Sequence, residues 1–272
     1  MTSEVPYIGS TSMFCRVKPG VLLQYPMPLC NASTGPNELT ERFAHKFLVE
    51  RQILPLLGSH PRIVPYLGWH DEPGDPQGLL LTESSHGNLQ QCLDNNNTIT
   101  PPIRRKWCLQ AVESVAYIHH CGVLHSDLRP DNFLVHATTP TSLDLWLCDF
   151  GGSACEKLGV DGGNLPDPGF YDPKSEPVPS IQVDIFSLAS IMYAILTGNW
   201  PYRTPGGSFK TLEESFEYDR RADDLFRKGE LPDVAALYVG DIILKCWKKE
   251  YASADDVVQA LKLKMQEDSD KY

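Results

Sequence analysis

The stretch that decides the fold is His125-Ser126-Asp127-Leu128-Arg129-Pro130-Asp131-Asn132. Asp127 and Asn132 stand five residues apart, and Arg129 follows the aspartate by two positions. This spacing can place three polar groups on one loop. The carboxylate can accept a proton from an attacking hydroxyl, the guanidinium can neutralise a moving phosphoryl group, and the amide can hold a metal ion. The loop therefore predicts phosphoryl transfer, with Asp127, Arg129 and Asn132 as catalytic residues.

A second carboxylate stands 17 residues beyond Asn132, in Leu147-Cys148-Asp149-Phe150-Gly151. It follows an apolar run and precedes a glycine, which lets the backbone bend sharply. Taken alone, His-x-Asp or Asp-Phe-Gly is more often a simple turn. In this order and at this spacing, the two loops resemble the catalytic and metal-binding loops of protein kinases. The resemblance extends from about residue 5 to residue 263.

The resemblance implies an α+β fold of two lobes, a small antiparallel β-sheet lobe with one main helix and a larger, mainly helical lobe. It places the kinase-like domain at residues 5–265, with the small lobe at about 5–82, the hinge at 83–88, the large lobe at 89–265 and a polar tail at 266–272. It also implies ATP and Mg²⁺ as cofactors, with the metal held by Asn132 and Asp149. Four segments are similar to small stand-alone kinase-like proteins of filamentous fungi: 60–67, 125–134, 148–153 and 184–202.

Composition narrows the class of partner. The 272 residues carry a net charge of −11 without a basic cluster, which disfavours nucleic acid and anionic membranes. The eight cysteines form no C-x-x-C pair, as expected of free thiols in a reducing compartment. The N-terminus lacks the basic and apolar parts of a signal peptide, and no apolar run reaches membrane-spanning length. We expect a soluble cytoplasmic protein that acts on or binds another protein, in an oligomeric state that the sequence leaves open.

The nucleotide-holding side departs from the kinase pattern. The counterpart of the glycine-rich loop, residues 9–17, keeps only Gly9, and an ordinary hairpin is at least as good an interpretation as a phosphate clamp. In the next strand, Gln24 stands in the place of the phosphate-binding lysine. An amide carries no charge and cannot neutralise phosphates as an ammonium does. Leu22 stands where a small residue normally covers the adenine ring, so its bulk should crowd that pocket.

A helix predicted over residues 37–57 carries Glu50, which resembles the helical glutamate that pairs with the strand lysine. Its usual partner is missing. Lys18 is the nearest candidate to replace that partner, but its place in Lys18-Pro19-Gly20 is more typical of a solvated turn. Lys46, one helical turn before Glu50, is predicted to form a simple surface pair with it.

The resemblance completes the nucleotide pocket with two further residues. Thr82 is the expected gatekeeper, give or take one residue, at the start of the hinge Thr82-Glu83-Ser84-Ser85-His86-Gly87-Asn88-Leu89. Leu134, two residues after Asn132, is also expected to bind the nucleotide.

Three features of the large lobe concern regulation and anchoring. Ser126 replaces the arginine that usually receives an activation-loop phosphate, and the activation segment (residues 149–174) contains no threonine, so activation by loop phosphorylation is not expected. Lys174 stands where a glutamate normally forms a buried ion pair, and the usual arginine partner is absent as well. Asp184 opens an apolar helix and is expected to anchor the catalytic-loop backbone.

Two functional interpretations carry weight. The first is a degenerate kinase, a pseudokinase or a very weak phosphotransferase, because the losses cluster on the nucleotide-holding side. The second is an active Ser/Thr kinase, because Asp127, Asn132, Asp149 and Glu50 keep their spacing. A kinase-fold enzyme with different nucleotide chemistry finds no positive sign in the sequence.

Overall fold

The computed structural model describes residues 3–9, 11–27, 38–95, 99–139 and 141–269. Its N-terminal part is a five-stranded antiparallel sheet in the order β1-β2-β3-β5-β4. The β2–β3 turn closes at Gly20, whose φ of 77° lies in the left-handed region that glycine adopts without a steric penalty. The strands are β1 (Ser3–Ile8), β2 (Ser12–Lys18), β3 (Val21–Pro26), β4 (Tyr66–His70) and β5 (Gly78–Thr82).

One long helix, α1 (Glu38–Leu57), belongs to this lobe. It buries Phe47, Glu50 and Leu54 among other side chains. The helix ends where Gly58 takes a left-handed conformation, and the Gly58 N–H donates to the Leu54 carbonyl at 3.1 Å. The sequence predicts this helix from residue 37, which lies outside the described residues.

The second lobe is mainly helical, which together with the sheet confirms the two-lobed α+β kinase fold. Its central helix, α4, is buried along nearly its whole length and packs against α3 and α6. Two strands, β6 and β7, pair as a hairpin beneath the first lobe. The elements are α2 (Leu89–Asp94), α3 (Pro101–His120), β6 (Phe133–Thr139), β7 (Ser142–Leu147), β8 (Ala154–Cys155), β9 (Val160–Asp161), α4 (Ile181–Thr197), α5 (Leu212–Lys228), α6 (Gly240–Trp247) and α7 (Ala254–Ser269).

Two helix boundaries differ from the sequence expectation. A helix is predicted over 234–247, but α6 begins only at Gly240, because residues 234–240 fold into two turns. Gly240 packs so tightly that a Cβ there would lie 1.9 Å from the Val234 carbonyl oxygen. The last helix is predicted near 253–265, and α7 continues beyond it to Ser269.

The two lobes share backbone contacts near the hinge. The Val64 N–H donates to the Leu147 carbonyl at 3.0 Å, and the Leu147 N–H donates to the Arg62 carbonyl at 2.8 Å. Beside them, the His86 N–H donates to Val135 at 3.0 Å. These bonds tie β7 and β6, which flank the catalytic and metal loops, to the first lobe.

An ion pair at the end of the activation segment corrects the sequence analysis, in which both partners are missing. The Lys249 Nζ lies 2.5 Å from Asp172 Oδ2 and 2.8 Å from Ser175 Oγ. The acidic partner, Asp172, lies two residues before Lys174, and the basic partner, Lys249, lies in the α6–α7 connection. The pair keeps the usual sense of charge, with the carboxylate on the activation segment.

Two further observations concern the chain as a whole. The seven cysteines among the described residues are all free thiols. Among these residues, no helix combines the length and the apolar character that a membrane crossing needs.

Candidate active site

A cleft of about 470 Å³ lies between the two lobes, within the size range of small-molecule sites. Every residue that the sequence assigns to the site lines it, although some stand more than a hundred positions apart. They are Gly9, Leu22, Gln24, Glu50, Thr82, Asp127, Arg129, Asn132, Leu134 and Asp149.

The catalytic loop is held by Asp184, as its position at the start of α4 predicts. The Asp184 carboxylate accepts from the backbone N–H groups of His125 at 2.8 Å and Ser126 at 2.9 Å, and it lies 2.9 Å from His119 Nε2. Ser126 has a φ of 60°, an uncommon conformation for a residue other than glycine. These bonds fix the backbone that presents Asp127.

A hydrogen bond links Asn132 to Asp127 within this loop. The Asn132 side-chain amide donates to the Asp127 backbone carbonyl at 2.7 Å, which leaves its own side-chain oxygen able to face a cation. Asp127 Oδ2 accepts from the amide of Asn164, in the activation segment, at 3.0 Å. The sequence gives no signal for Asn164, because it lies in a stretch rich in Gly, Pro and Asp whose path depends on packing.

Arg129 is held by two carboxylates. Its Nη2 lies 3.0 Å from Asp131 Oδ2, and its Nη1 lies 2.7 Å from Asp167 Oδ2 in the activation segment. The guanidinium therefore stays beside Asp127, where it can meet a phosphoryl group. Asp167, like Asn164, was not predicted as part of the site.

Asp149 takes a left-handed conformation, with φ 63° and ψ 71°, and lines the cleft. Its pKa is raised, mainly by burial and next by the like charge of Asp127. A cation would relieve that repulsion. Among the described residues, no three ligands group into a metal site on their own. Mg²⁺ commonly binds one or two protein oxygens together with nucleotide phosphates, so Asp149 and Asn132 fit a metal that arrives with its nucleotide.

Gln24 and Glu50 form a buried neutral pair. Gln24 Nε2 donates to Glu50 Oε2 at 2.7 Å and to Ser12 Oγ at 3.3 Å, and the Phe150 N–H donates to Glu50 Oε1 at 3.2 Å. Burial raises the pKa of Glu50 to about 8, and the nearby charge of Asp149 adds to the shift. The partner of Glu50 is therefore Gln24, the residue that occupies the lysine's place. Gln24 binds Glu50 as an uncharged hydrogen-bond donor.

The two lysines named as possible partners of Glu50 lie elsewhere. Lys18 is exposed at the β2–β3 turn, in agreement with the solvated-turn interpretation. The predicted surface pair between Lys46 and Glu50 is wrong, because Glu50 is only 3% exposed and is bonded to Gln24 and Phe150. Lys46 is instead half-buried and packs against the activation segment.

Aliphatic residues of both lobes line one side of the cleft. Leu22 and Leu81 are directly opposite across β3 and β5, so both side chains point to the same face of the sheet. Thr82, the predicted gatekeeper, follows Leu81 at the end of β5, and both residues line the cleft. Leu134 lines the cleft from the second lobe. Leu22 lines the cleft, which keeps a volume of about 470 Å³, so its bulk does not close the cleft.

Strand β2, which follows the shortened loop, places an aromatic ring along the cleft. Phe14 pairs with Gln24 across β2 and β3, and its ring lies 3.3 Å from the point where a Cβ on Gly9 would stand. The Gly9 N–H donates to the Ser12 carbonyl at 2.9 Å, which closes a tight turn. The sequence indicates the shortened loop but does not predict that Phe14 lines the cleft.

Comparison with known proteins gives one family. The protein kinase domain family matches residues 35–253, which begins after β3 and so leaves Leu22 and Gln24 outside the match. The chain is 27% identical over 166 residues to an Aurora kinase of Yarrowia lipolytica, covering 60% of this chain and 43% of that protein. It is 30% identical over 194 residues to a death-associated protein kinase related protein of Drosophila melanogaster (64% and 27%).

A third relative is calcium/calmodulin-dependent protein kinase type 1B of Homo sapiens, 29% identical over 178 residues, with 63% of this chain and 51% of that protein covered. The chain spans about half or less of the length of these three relatives.

Proposed function

The chain belongs to the protein kinase family, and from that premise we propose that it is a degenerate kinase. It binds ATP with Mg²⁺ weakly and transfers the γ-phosphoryl group very slowly or not at all. Its role is then to bind a protein partner, and we expect it to do so in the cytoplasm. When bound, the metal neutralises charge on the phosphates, and Asp149 and Asn132 are the residues proposed to hold it.

The observation that carries this proposal is the use of both N–H groups of Gln24. A side-chain amide has two donors, and here one goes to Glu50 and the other to Ser12. What remains is the amide oxygen, an acceptor that repels phosphate. A lysine at this position would offer three donors and a full positive charge. Position 24 therefore supports the lobe and contributes no attraction to the nucleotide.

The alternative is an active Ser/Thr kinase, and one observation favours it. Glu50 reaches the Phe150 N–H, so α1 lies against the metal loop, and Asp149 and Asp127 both face the cleft. In this alternative Asp127 accepts the proton of a serine or threonine hydroxyl while Arg129 neutralises the phosphoryl group. The kinase relatives named above make a protein hydroxyl the natural substrate class for this proposal.

A thermal-shift titration separates the two functions. ATP and adenosine are titrated with Mg²⁺, with Mn²⁺ and with EDTA, and phosphotransfer to a mixed peptide library is measured in parallel. The proposed function predicts a small ATP shift that needs the metal, with little or no transfer. Micromolar ATP binding together with robust transfer that is lost in Asp127→Asn would establish the active kinase instead. No shift with either ligand would remove nucleotide binding from the proposal.

A further inference from the structure

A second cavity, of about 270 Å³, opens beside the nucleotide cleft between α1 and the activation segment. It shares Thr11, Asp127, Arg129 and Asp149 with the cleft, so the two spaces meet where the catalytic and metal loops converge. Among the described residues, Leu165 is the only aliphatic or aromatic side chain in its lining. The cavity is therefore built for a polar or charged group.

Three residues of α1 point toward this region, at intervals of four. Arg42 and Lys46 line the second cavity and Glu50 lines the cleft, because residues four apart share one face of a helix. The position of Lys46 is fixed by packing. A Cβ on Gly151 would lie 3.3 Å from the Lys46 Cβ and from its carbonyl oxygen. The helix thus holds the stem of Lys46 against the metal loop and directs the ammonium into the cavity.

The electrostatic surroundings of Lys46 are those of a charge facing the active site. Burial is the main cause that lowers the pKa of its ammonium, and the neighbouring charge of Arg42 adds to it. Three carboxylates act in the opposite direction, those of Asp127, Asp149 and Asp167. The Lys46 ammonium therefore interacts electrostatically with Asp127, the proposed proton acceptor, and with Asp149, the proposed metal ligand.

Lys46 also differs from Arg129, the other half-buried cation that lines the cavity. Arg129 is already bonded to Asp131 and Asp167 at 3.0 and 2.7 Å. Within the described ranges, the Lys46 ammonium makes no ion pair or hydrogen bond of its own. Its charge remains available to an anion that enters from the cleft.

We propose that Lys46, assisted by Arg42, supplies the positive charge for the terminal phosphates of a nucleoside triphosphate that Gln24 does not supply. The inference rests on the proposed function, since it needs a nucleotide in the cleft. The phosphate tail extends past Asp149 toward the second cavity, and the ammonium attracts it from the α1 side. The expected ligand class is a nucleoside triphosphate with its metal, in preference to the nucleoside.

The test compares two lysines of this chain. Lys46→Met keeps the length of the aliphatic stem that packs on Gly151 and removes the charge. Lys46→Arg keeps the charge. Lys18→Met is the matched control, because it removes one charge from the same lobe at the exposed β2–β3 turn. The affinities of the four proteins for ATP and for adenosine are measured by calorimetry at fixed Mg²⁺ and fixed ionic strength.

A charge-assisted contact predicts that Lys46→Met weakens ATP binding about tenfold or more. Its affinity for adenosine should stay within about twofold, Lys46→Arg should retain most of the ATP affinity, and Lys18→Met should match the natural chain at physiological salt. A lysine that merely held α1 to the activation segment would lower thermal stability without changing the preference for ATP over adenosine. That result would overturn the inference.

Two further outcomes distinguish a failure of the inference about Lys46 from a failure of nucleotide binding itself. If the natural chain binds adenosine and ATP equally, the cleft binds a nucleoside and the inference about Lys46 is wrong. If it binds neither, nucleotide binding itself is wrong, and the inference falls with it. Should Lys46→Met fail to fold, Lys46→Gln gives the same comparison with a polar side chain.

Discussion

Replacing Glu50 by glutamine should stabilise this protein at pH 8, although the carboxylate is the usual partner of an ammonium in protein kinases. In this chain Glu50 is buried, bonded to Gln24 and Phe150, and close to the charge of Asp149. Burial and that charge raise its pKa from 4.5 to about 8, so at neutral pH the folded protein keeps the proton. The substitution replaces a group that resists ionisation by one that never ionises.

The sign and size follow from linkage. Between pH 4.5 and about 8 the unfolded chain releases the Glu50 proton while the folded chain retains it, so stability falls as the pH rises through this window. Below 4.5 and above about 8 the contribution is constant. Each pH unit in the window is worth about 1.4 kcal/mol, so the whole window amounts to roughly 5 kcal/mol as an upper bound.

The new amide can be accommodated. The Gln24 side chain can rotate its amide so that its oxygen accepts from the substituted residue, and Ser12, whose hydroxyl both donates and accepts, can reverse its bond. Some geometry is lost, at a cost of about 1–2 kcal/mol that does not depend on pH. The net gain at pH 8 is then roughly 3 kcal/mol, or a rise in Tm of roughly 6–12 °C for a chain of this size.

The assay is thermal unfolding of the natural chain and of Glu50→Gln at pH 5, 6, 7 and 8 at constant ionic strength. The difference in Tm should be near zero or slightly negative at pH 5 and become positive by pH 8. In a Gln24→Lys background the same substitution should destabilise at every pH, because Glu50 would then be an ionised partner. A pH-independent loss of stability in the natural background would refute the reasoning, since it would mean that Glu50 is ionised in the folded protein.

Three other predictions concern the cleft. EDTA should abolish the ATP thermal shift, because Asp149 needs a cation before it can tolerate phosphates nearby; an equal shift with chelator would contradict this. Asp127→Asn should eliminate any phosphotransfer and change Tm by no more than about 2 °C, whereas surviving transfer would indicate a contaminating kinase or different chemistry. Leu22→Ala combined with Gln24→Lys should improve ATP affinity more than the sum of the single changes, and adding Glu50→Gln should remove most of the gain. A double variant no better than the natural chain would show that Leu22 and Gln24 are not the obstruction.

The sequence predicted well what depends on local spacing. Asp127 and Asn132 lie on one loop, and their spacing fixes their relation whatever surrounds them. The role of Asp184 followed instead from the resemblance to protein kinases, in which the aspartate that opens the central helix anchors the catalytic-loop backbone. The positions of α1 and of β3 followed from periodicity and from glycine and proline punctuation.

What the sequence did not give depends on tertiary packing. The absence of a lysine at position 24 is visible in the sequence, but the use of both amide donors of Gln24 depends on how β2 and α1 approach β3. Lys46 looked like a surface residue because helical spacing relates it to Glu50, while its contact with Gly151 depends on a segment over a hundred residues away. Asp172 and Lys249 formed an ion pair that no spacing rule connects, since 77 positions separate them.

The neutral pair of Gln24 and Glu50 explains why the fold tolerates the loss of the lysine charge at position 24. Phosphate binding is not expected to tolerate the same loss. A lysine and an ionised glutamate have no net charge together, and neither do Gln24 and a protonated Glu50. Replacing both members of a buried ion pair by neutral groups can therefore be nearly free for folding, while leaving one charge alone is not. The two pairs differ in the electrostatic field that they create in the cleft. A lysine–glutamate ion pair would present a positive charge to the phosphates, and the neutral pair presents none. In the proposed function, stability and nucleotide binding thus depend on different residues, and Lys46 is the cation proposed to restore only the binding.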